Sequence, residues 1–263
     1  MAGAQSQVWN PAEYARFTDL RLRPALDLLA RVPEGLPPGD VVDLGCGAGA
    51  VGPALRSRFP QRRLLGLDLS PDMLEQAGAT GAYDRLSQAD IARWQPEAPP
   101  ALVFSNAALH WVPEHRAVMR GIAEHLAPGA ALAVQMPDQT GAPSHALLRS
   151  VSARMFPDLF DWEEWRPPVA PVAEYHAALS GFGQVDIWET RYLQRLAPVP
   201  EGHPVRHFTG STAALPVLGK LDPAGRTAFL AAYDAALRAP YPPDAQGGVL
   251  FPFSRMFIVL TRR

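Results

Sequence analysis

Cysteine is almost missing: Cys46 is the only one in 263 residues. A lone thiol excludes an internal disulfide framework and suits a reducing compartment, so the chain reads as cytoplasmic. Charge of one sign is not in excess either. The 24 Lys plus Arg stand against 26 Asp plus Glu, a net charge of -2, which leaves no electrostatic footprint for nucleic acid or for an anionic membrane. No uninterrupted apolar stretch approaches the ~20 residues that span a bilayer. The opening MAGAQSQVWNPAEY also lacks a basic segment followed by an apolar one, so neither an anchor nor an export signal is expected. The histidines show no metal-ligand spacing. His203 and His207 are separated by Pro204 and lack a third ligand, so no metal is expected. There is no repeat of fixed period, and nothing signals an oligomeric state.

Proline, by contrast, is abundant: 28 residues is roughly twice the usual share. The prolines cluster as PEGLPP, PEAPP, RPPVAP, APVPEGHP and APYPP, which mark loops and element ends. Between them, residues 11–32 carry apolar positions at helical spacing. Then VVDLG (41–45) reads as a buried strand entering a glycine turn, and Val51 to Phe59 as a helix stopped by Pro60. RLLGLDL (63–69) is a second strand, followed by SPDMLEQA with Ser70 as N-cap and Pro71 in the first turn. A short strand ends near Asp90, ALVFSN (101–106) is a fourth, a helix covers about 115–126, and AALAVQM (130–136) is a fifth. Strands alternating with helices predict a doubly wound, mostly parallel α/β sheet. Two long strand candidates, 184–196 and 253–262, are expected as an antiparallel pair at its edge. This divides the chain into a helical start and ligand-binding core (1–137), a proline-rich helical cap above the strand ends (138–182 and 197–250), and strands 183–196 and 251–263 that complete the sheet.

The chemistry concentrates in VVDLGCGAGAVG (41–52). Glycines 45, 47 and 49 allow a sharp turn and close approach of backbone to a ligand. Gly47, Gly49 and Gly52 also satisfy G-x-G-x-x-G, so a nicotinamide or flavin enzyme stays open at this point. Asp43 at the end of the first strand would oppose a pyrophosphate but suits a ligand carrying an ammonium and a sulfonium. Asp68 ends the second strand about twenty residues after the loop, where a carboxylate grips two ribose hydroxyls. Asp90 can accept from the exocyclic amine of adenine while Ile91 packs the ring. SNAALHW places Asn106, Ala107 and Ala108, then His110 and Trp111, after the fourth strand, facing the reactive end of a bound cofactor.

Taken together, DLGCGAG, the acidic end of GLDLS, QADI and FSNAALHW resemble the successive cofactor motifs of class I S-adenosylmethionine-dependent methyltransferases over residues 40–136. The resemblance implies a seven-stranded sheet with its last strand antiparallel, and S-adenosylmethionine as cofactor with S-adenosylhomocysteine as product. It implies cofactor contacts from Asp43, Gly45, Cys46, Gly47, Gly49, Asp68, Leu69, Met73, Asp90, Ile91, Asn106, Ala107 and Ala108, with Tyr14 and Arg21 as lid residues. Further segments, among them VWNPAEYARF, NAALHWVPEH, AVQMPDQTGAPSH and VLFPFSRMFIVLTR, are similar to the trans-aconitate methyltransferases within that class. This implies esterification of a carboxylate on a small di- or tricarboxylic acid. The likeness departs at VRHFTGSTAALPVLGKL (205–221), where His207 and Ala214 or Leu215 stand near an expected Trp and Arg.

An ionised carboxylate needs no general base, so the candidates for acceptor chemistry are groups that position it: His110, Trp111, His207 and Arg255, with Arg206 beside them. Arg255 lies inside an apolar strand and is expected to face a carboxylate, of the protein or of the substrate. Cys46 within the turn reads as a small packing residue, without a histidine next to it. The alternatives are a methyltransferase of another small molecule, a nicotinamide-dependent reductase, and an adenosyl-binding protein without catalysis.

Overall fold

The computed structural model describes residues 18–263, with side chains from residue 22. Tyr14 therefore lies outside the described residues, as does the side chain of Arg21. The chain opens with α1 (Thr18–Ala30) and proceeds through β1 (Val41–Leu44), α2 (Gly52–Arg58), β2 (Leu64–Asp68), α3 (Pro71–Ala79), β3 (Arg85–Gln88) and β4 (Leu102–Asn106). A 3-10 turn (Leu109–Trp111) leads to α4 (His115–His125) and β5 (Ala131–Pro137). Then follow α5 (Pro143–Met155), α6 (Val172–Leu179), β6 (Gly183–Leu196), α7 (Pro204–Gly210), α8 (Leu215–Leu218), α9 (Pro223–Leu237) and β7 (Val249–Arg262).

The local signals behave as their chemistry dictates. Ser70 caps α3 by accepting from the Met73 N–H, with Pro71 at the first helical position, which satisfies an otherwise orphaned donor. Asp222 caps α9 in the same way through the Gly225 N–H at 2.7 Å. The strands form one seven-stranded sheet of order β3-β2-β1-β4-β5-β7-β6. Strands β1 to β5 pair in parallel, and β7 runs antiparallel to β5. Arg263 N–H donates to Phe182 O, so the start of β6 meets the end of β7 and these two are also antiparallel. Order reverses between β1 and β4, and the ends of these two strands form the switch point where open α/β sheets hold ligands.

Strand β1 and the first six residues of β5 are buried throughout, as expected of strands covered by helices on both faces. Val42, Leu44, Val103, Leu132, Val134 and Ile258 pack with Met119 and Ile122 of α4 and with Leu126 just after it. The described residues beyond 20 divide into a unit containing the parallel sheet (21–138, 168–190 and 254–263) and a second unit (139–167 and 191–253).

The division differs from the expected one at two places. Residues 168–182, assigned to the cap on their proline content, belong with the sheet because α6 buries Tyr175 and Leu179 in its core cluster. Strand β6 occupies 183–196 as expected, whereas β7 starts at Val249, ahead of the expected 251–263 strand. Each contributes residues to both units.

Candidate active site

The glycine loop begins where β1 ends. Gly45 has φ +78° and Gly47 has φ +53°, a region that L side chains rarely adopt. A Cβ on Gly45 would collide with the Ala108 methyl group, whereas one on Gly47 would meet nothing within 4 Å. Gly45 is thus required by the close approach of the segment after β4, and Gly47 by backbone conformation on an open face.

The loop's own hydrogen bonds discriminate between cofactor classes. Gly45 and Cys46 N–H both donate to Leu67 O, Gly49 N–H to Cys46 O, and Gly52 N–H to Gly49 O. Gly47 N–H donates to Asp68 Oδ2 at 2.9 Å. A dinucleotide loop directs such groups at a pyrophosphate; here they are committed within the protein, with the Asp43 and Asp68 carboxylates close by. Asp68 Oδ1 accepts from the Ser70 N–H at 2.9 Å. Each carboxylate oxygen therefore holds one backbone donor and keeps a lone pair for a further hydroxyl, as a ribose diol requires.

Asp43 is 2% exposed and accepts from Tyr83 Oη at 2.7 Å. Burial pushes its carboxyl up to about 7; the Tyr83 hydroxyl opposes this rise and the Asp68 charge adds to it. Cys46, within the loop, is buried. Burial first, then the Asp43 and Asp68 charges, push its thiol far above the ordinary range, so a nucleophilic thiolate is inaccessible. Cys46→Ser is accordingly expected to leave turnover within about threefold of the parent. The check is rapid-quench mass spectrometry, in which a methylated Cys46 intermediate would contradict direct transfer.

Around the loop, Leu69 is 65% exposed while Met73 is buried in α3. Asp90 Oδ1 accepts from the Ala92 N–H at 2.9 Å. Ile91 Cδ1 lies 3.7 Å from where a Gly45 Cβ would stand, so its side chain borders the loop. After β4, Ala107 takes φ +53° and its N–H donates to Gln135 O, a strained backbone position at the strand end.

A second polar group collects at the ends of β4 and β5 and the middle of β7. Arg255 is 3% exposed and its Nη1 donates to Gln135 Oε1 at 3.3 Å. Gln135 is thus one partner of the buried guanidinium. Among the described residues, the buried Asn106 Oδ1, His110 Nδ1 and Gln135 Nε2 have no hydrogen-bond partner. Orphaned atoms of this kind are costly and call for a missing partner. Burial and then the Arg255 charge pull His110 down to about 3, so its ring is neutral at pH 7. Trp111 is 62% exposed, with its ring centroid 4.8 Å from that of His110.

His207 and Arg206 lie on α7 in the other unit. Arg206 Nε stands 3.0 Å from Asp234 Oδ1, and His207 Nε2 is 2.7 Å from Glu201 O. Both have local partners. Tyr83 and Gln135 were not singled out in the sequence. For Gln135 a signal existed, namely one amide inside the apolar run AALAVQM; Tyr83 carried none, because its partner Asp43 is forty positions away.

These residues fit S-adenosylmethionine: a carboxylate for the ribose, a cradle whose N–H groups are not offered to phosphate, and an orphaned Asn106 oxygen able to accept from an ammonium. Fold and loop together define a class I S-adenosylmethionine-dependent methyltransferase. The methyltransferase domain family matches residues 41–129. Among solved structures, the YcgJ protein from Bacillus subtilis superposes with TM-score 0.56 at 16% identity, covering 91% of this chain and 98% of that one. A phosphoethanolamine N-methyltransferase of Haemonchus contortus gives TM-score 0.54 at 16% identity, over 92% and 53% of the two chains. Both share the fold. Among curated relatives, the trans-aconitate 2-methyltransferase of Methylobacterium nodulans is 44% identical over 97% of this chain and 98% of its own. That of Streptomyces coelicolor is 41% identical over 97% and 87%. The chain belongs to the trans-aconitate 2-methyltransferase family.

Proposed function

We propose that the protein transfers a methyl group from S-adenosylmethionine to a carboxylate oxygen of trans-aconitate, yielding a monomethyl ester. The observation that carries this reading is the buried Arg255 guanidinium beside Gln135, with the Gln135 Nε2 and His110 Nδ1 lacking partners among the described residues, in the same unit as the glycine loop. A cation with neighbouring donors, set into an apolar sheet, is the receptor that a carboxylate entering a low-dielectric site requires.

The cofactor supplies an electrophilic methyl group on a cationic sulfur. With a reference pKa near 4, the acceptor carboxylate is already ionised at neutral pH, so no side chain has to remove a proton. His110, neutral down to about 3, is a hydrogen-bonding group here and not an acid or base. Arg255 and Gln135 hold a carboxylate that does not react, leaving the attacking oxygen free of a strong counter-charge. Trp111 covers the reacting end and excludes water. The remaining rate enhancement is orientation, worth up to ~7–11 kcal/mol for well-aligned reactants. Asp68 and the glycine loop hold the ribose, Asp90 and Ile91 the adenine, and Asn106 the amino-acid end. A cytoplasmic setting agrees with the single reduced thiol.

Mass-spectrometric assays with trans-aconitate, cis-aconitate, isocitrate and itaconate test the proposal. Ester formation is expected to be fastest with trans-aconitate. If none of the acids is esterified while an uncharged phenol or amine is methylated, the carboxylate assignment fails.

A further inference from the structure

The half-buried ring of Tyr83, from the segment between α3 and β3, packs against the glycine loop. Three glycines on different elements make room for its ring. A Cβ on Gly49 would lie 3.1 Å from Tyr83 Cε2, one on Gly52 2.6 Å from the same atom, and one on Gly66 2.9 Å from Cδ1. The ring is thereby locked, and its hydroxyl reaches Asp43 Oδ2 at 2.7 Å. Burial first, then the charge and hydrogen bond of Asp43, raise the Tyr83 hydroxyl far above its usual value. It is a permanent donor.

From this geometry we infer that Tyr83 is a positioning residue for the cofactor: its hydroxyl holds the Asp43 carboxyl by a hydrogen bond under the loop, eases its ionisation when a cation binds, and so favours the cationic methyl donor over its uncharged-sulfur product. The groups that bear on Asp43 are few. Tyr83 donates to it from the segment before β3, the Asp68 carboxylate at the end of β2 repels it, and the nearby Cys46 thiol stays protonated. Without the Tyr83 donor, Asp43 would be a buried carboxyl facing another carboxylate, and it would hold its proton through neutral pH. With the donor, it titrates close to neutrality, where a bound cation can draw off the proton.

The linkage has a definite sign. A ligand that prefers ionised Asp43 binds more weakly at pH values where the free protein holds the proton, and more tightly as pH rises through the free-state value. S-adenosylmethionine carries a sulfonium that S-adenosylhomocysteine lacks, so its affinity is the more pH-dependent of the two. Tyr83→Phe removes the hydroxyl while keeping the ring that packs against the loop, and it raises the free-state value of Asp43.

The inference rests on the methyltransferase reading, and the experiment keeps the two apart. Titration calorimetry is run with both ligands from pH 6 to 9 on the parent, Tyr83→Phe and Asp43→Asn. The Asp43 carboxyl is followed by carbon NMR in the free proteins. In the parent, the ratio of affinities for S-adenosylmethionine over S-adenosylhomocysteine is expected to rise severalfold across this range. In Tyr83→Phe the rise and the carboxyl titration move up by about one pH unit, and in Asp43→Asn the ratio is flat. The ligand's amino group titrates in all three proteins and cancels between them. If the parent ratio does not change with pH, or if Tyr83→Phe leaves both curves in place, Tyr83 is packing alone. If the parent binds neither ligand, the cofactor assignment itself falls.

Discussion

Asp68→Ala is expected to weaken S-adenosylmethionine binding by about 10- to 150-fold. The Asp68 oxygens each hold one loop or helix N–H, from Gly47 and Ser70. Hydrogen bonds to a charged acceptor contribute roughly 1.5–3 kcal/mol, and each 1.4 kcal/mol is a factor of about ten. The ribose is common to donor and product, so S-adenosylhomocysteine should lose the same factor. This distinguishes the Asp68 variant from Asp43 substitutions, which act on the charge difference between the two ligands. Calorimetry on protein with an unchanged thermal transition decides it. An unaltered dissociation constant would mean that β2 does not hold the ribose.

Arg255→Gln is expected to raise the Michaelis constant for trans-aconitate by about 10- to 150-fold on the same arithmetic for a lost charged hydrogen bond. That for S-adenosylmethionine should stay within about threefold. Arg255 stands opposite Pro137 in the β5–β7 register, one residue beyond the buried stretch of β5. Removing its charge therefore acts at the strand end. Arg255→Lys retains the charge but loses the planar fork that meets both Gln135 and a carboxylate, so it should fall between the parent and the Gln variant. Steady-state kinetics with a circular dichroism check of folding separates the cases. Equal changes in both Michaelis constants, or none in that for the acid, would assign the guanidinium to the fold.

The order of elements was legible because each boundary has local chemistry behind it. Ser70 with Pro71 starts α3, Pro60 follows α2, and the apolar runs VVDL and ALAV are strands buried on both faces. The positions of Asp43, Asp68, Asp90 and Asn106 were legible for the same reason: each falls within two residues of a strand end, which periodicity locates. What pairs with them was not. The Tyr83 hydroxyl and Asp43 meet across forty positions, and Gln135 meets Arg255 across 120; spacing carries no information at such separations. The proline-rich stretch 168–182 misled because its composition resembles a loop, while the two residues that decide its location, Tyr175 and Leu179, are a single i,i+4 pair.

Cys46, inert as a nucleophile, acquires another use from its place inside the glycine loop. As the sole sulfhydryl of the chain, and buried, it can be modified only when the loop parts from β2. When reclosure outruns modification, the labelling rate measures the free energy of that local opening. A ligand seated on the loop slows labelling in proportion to its occupancy. The native protein thus carries a kinetic gauge of its own cofactor cradle, readable with any small disulfide reagent and without a substitution.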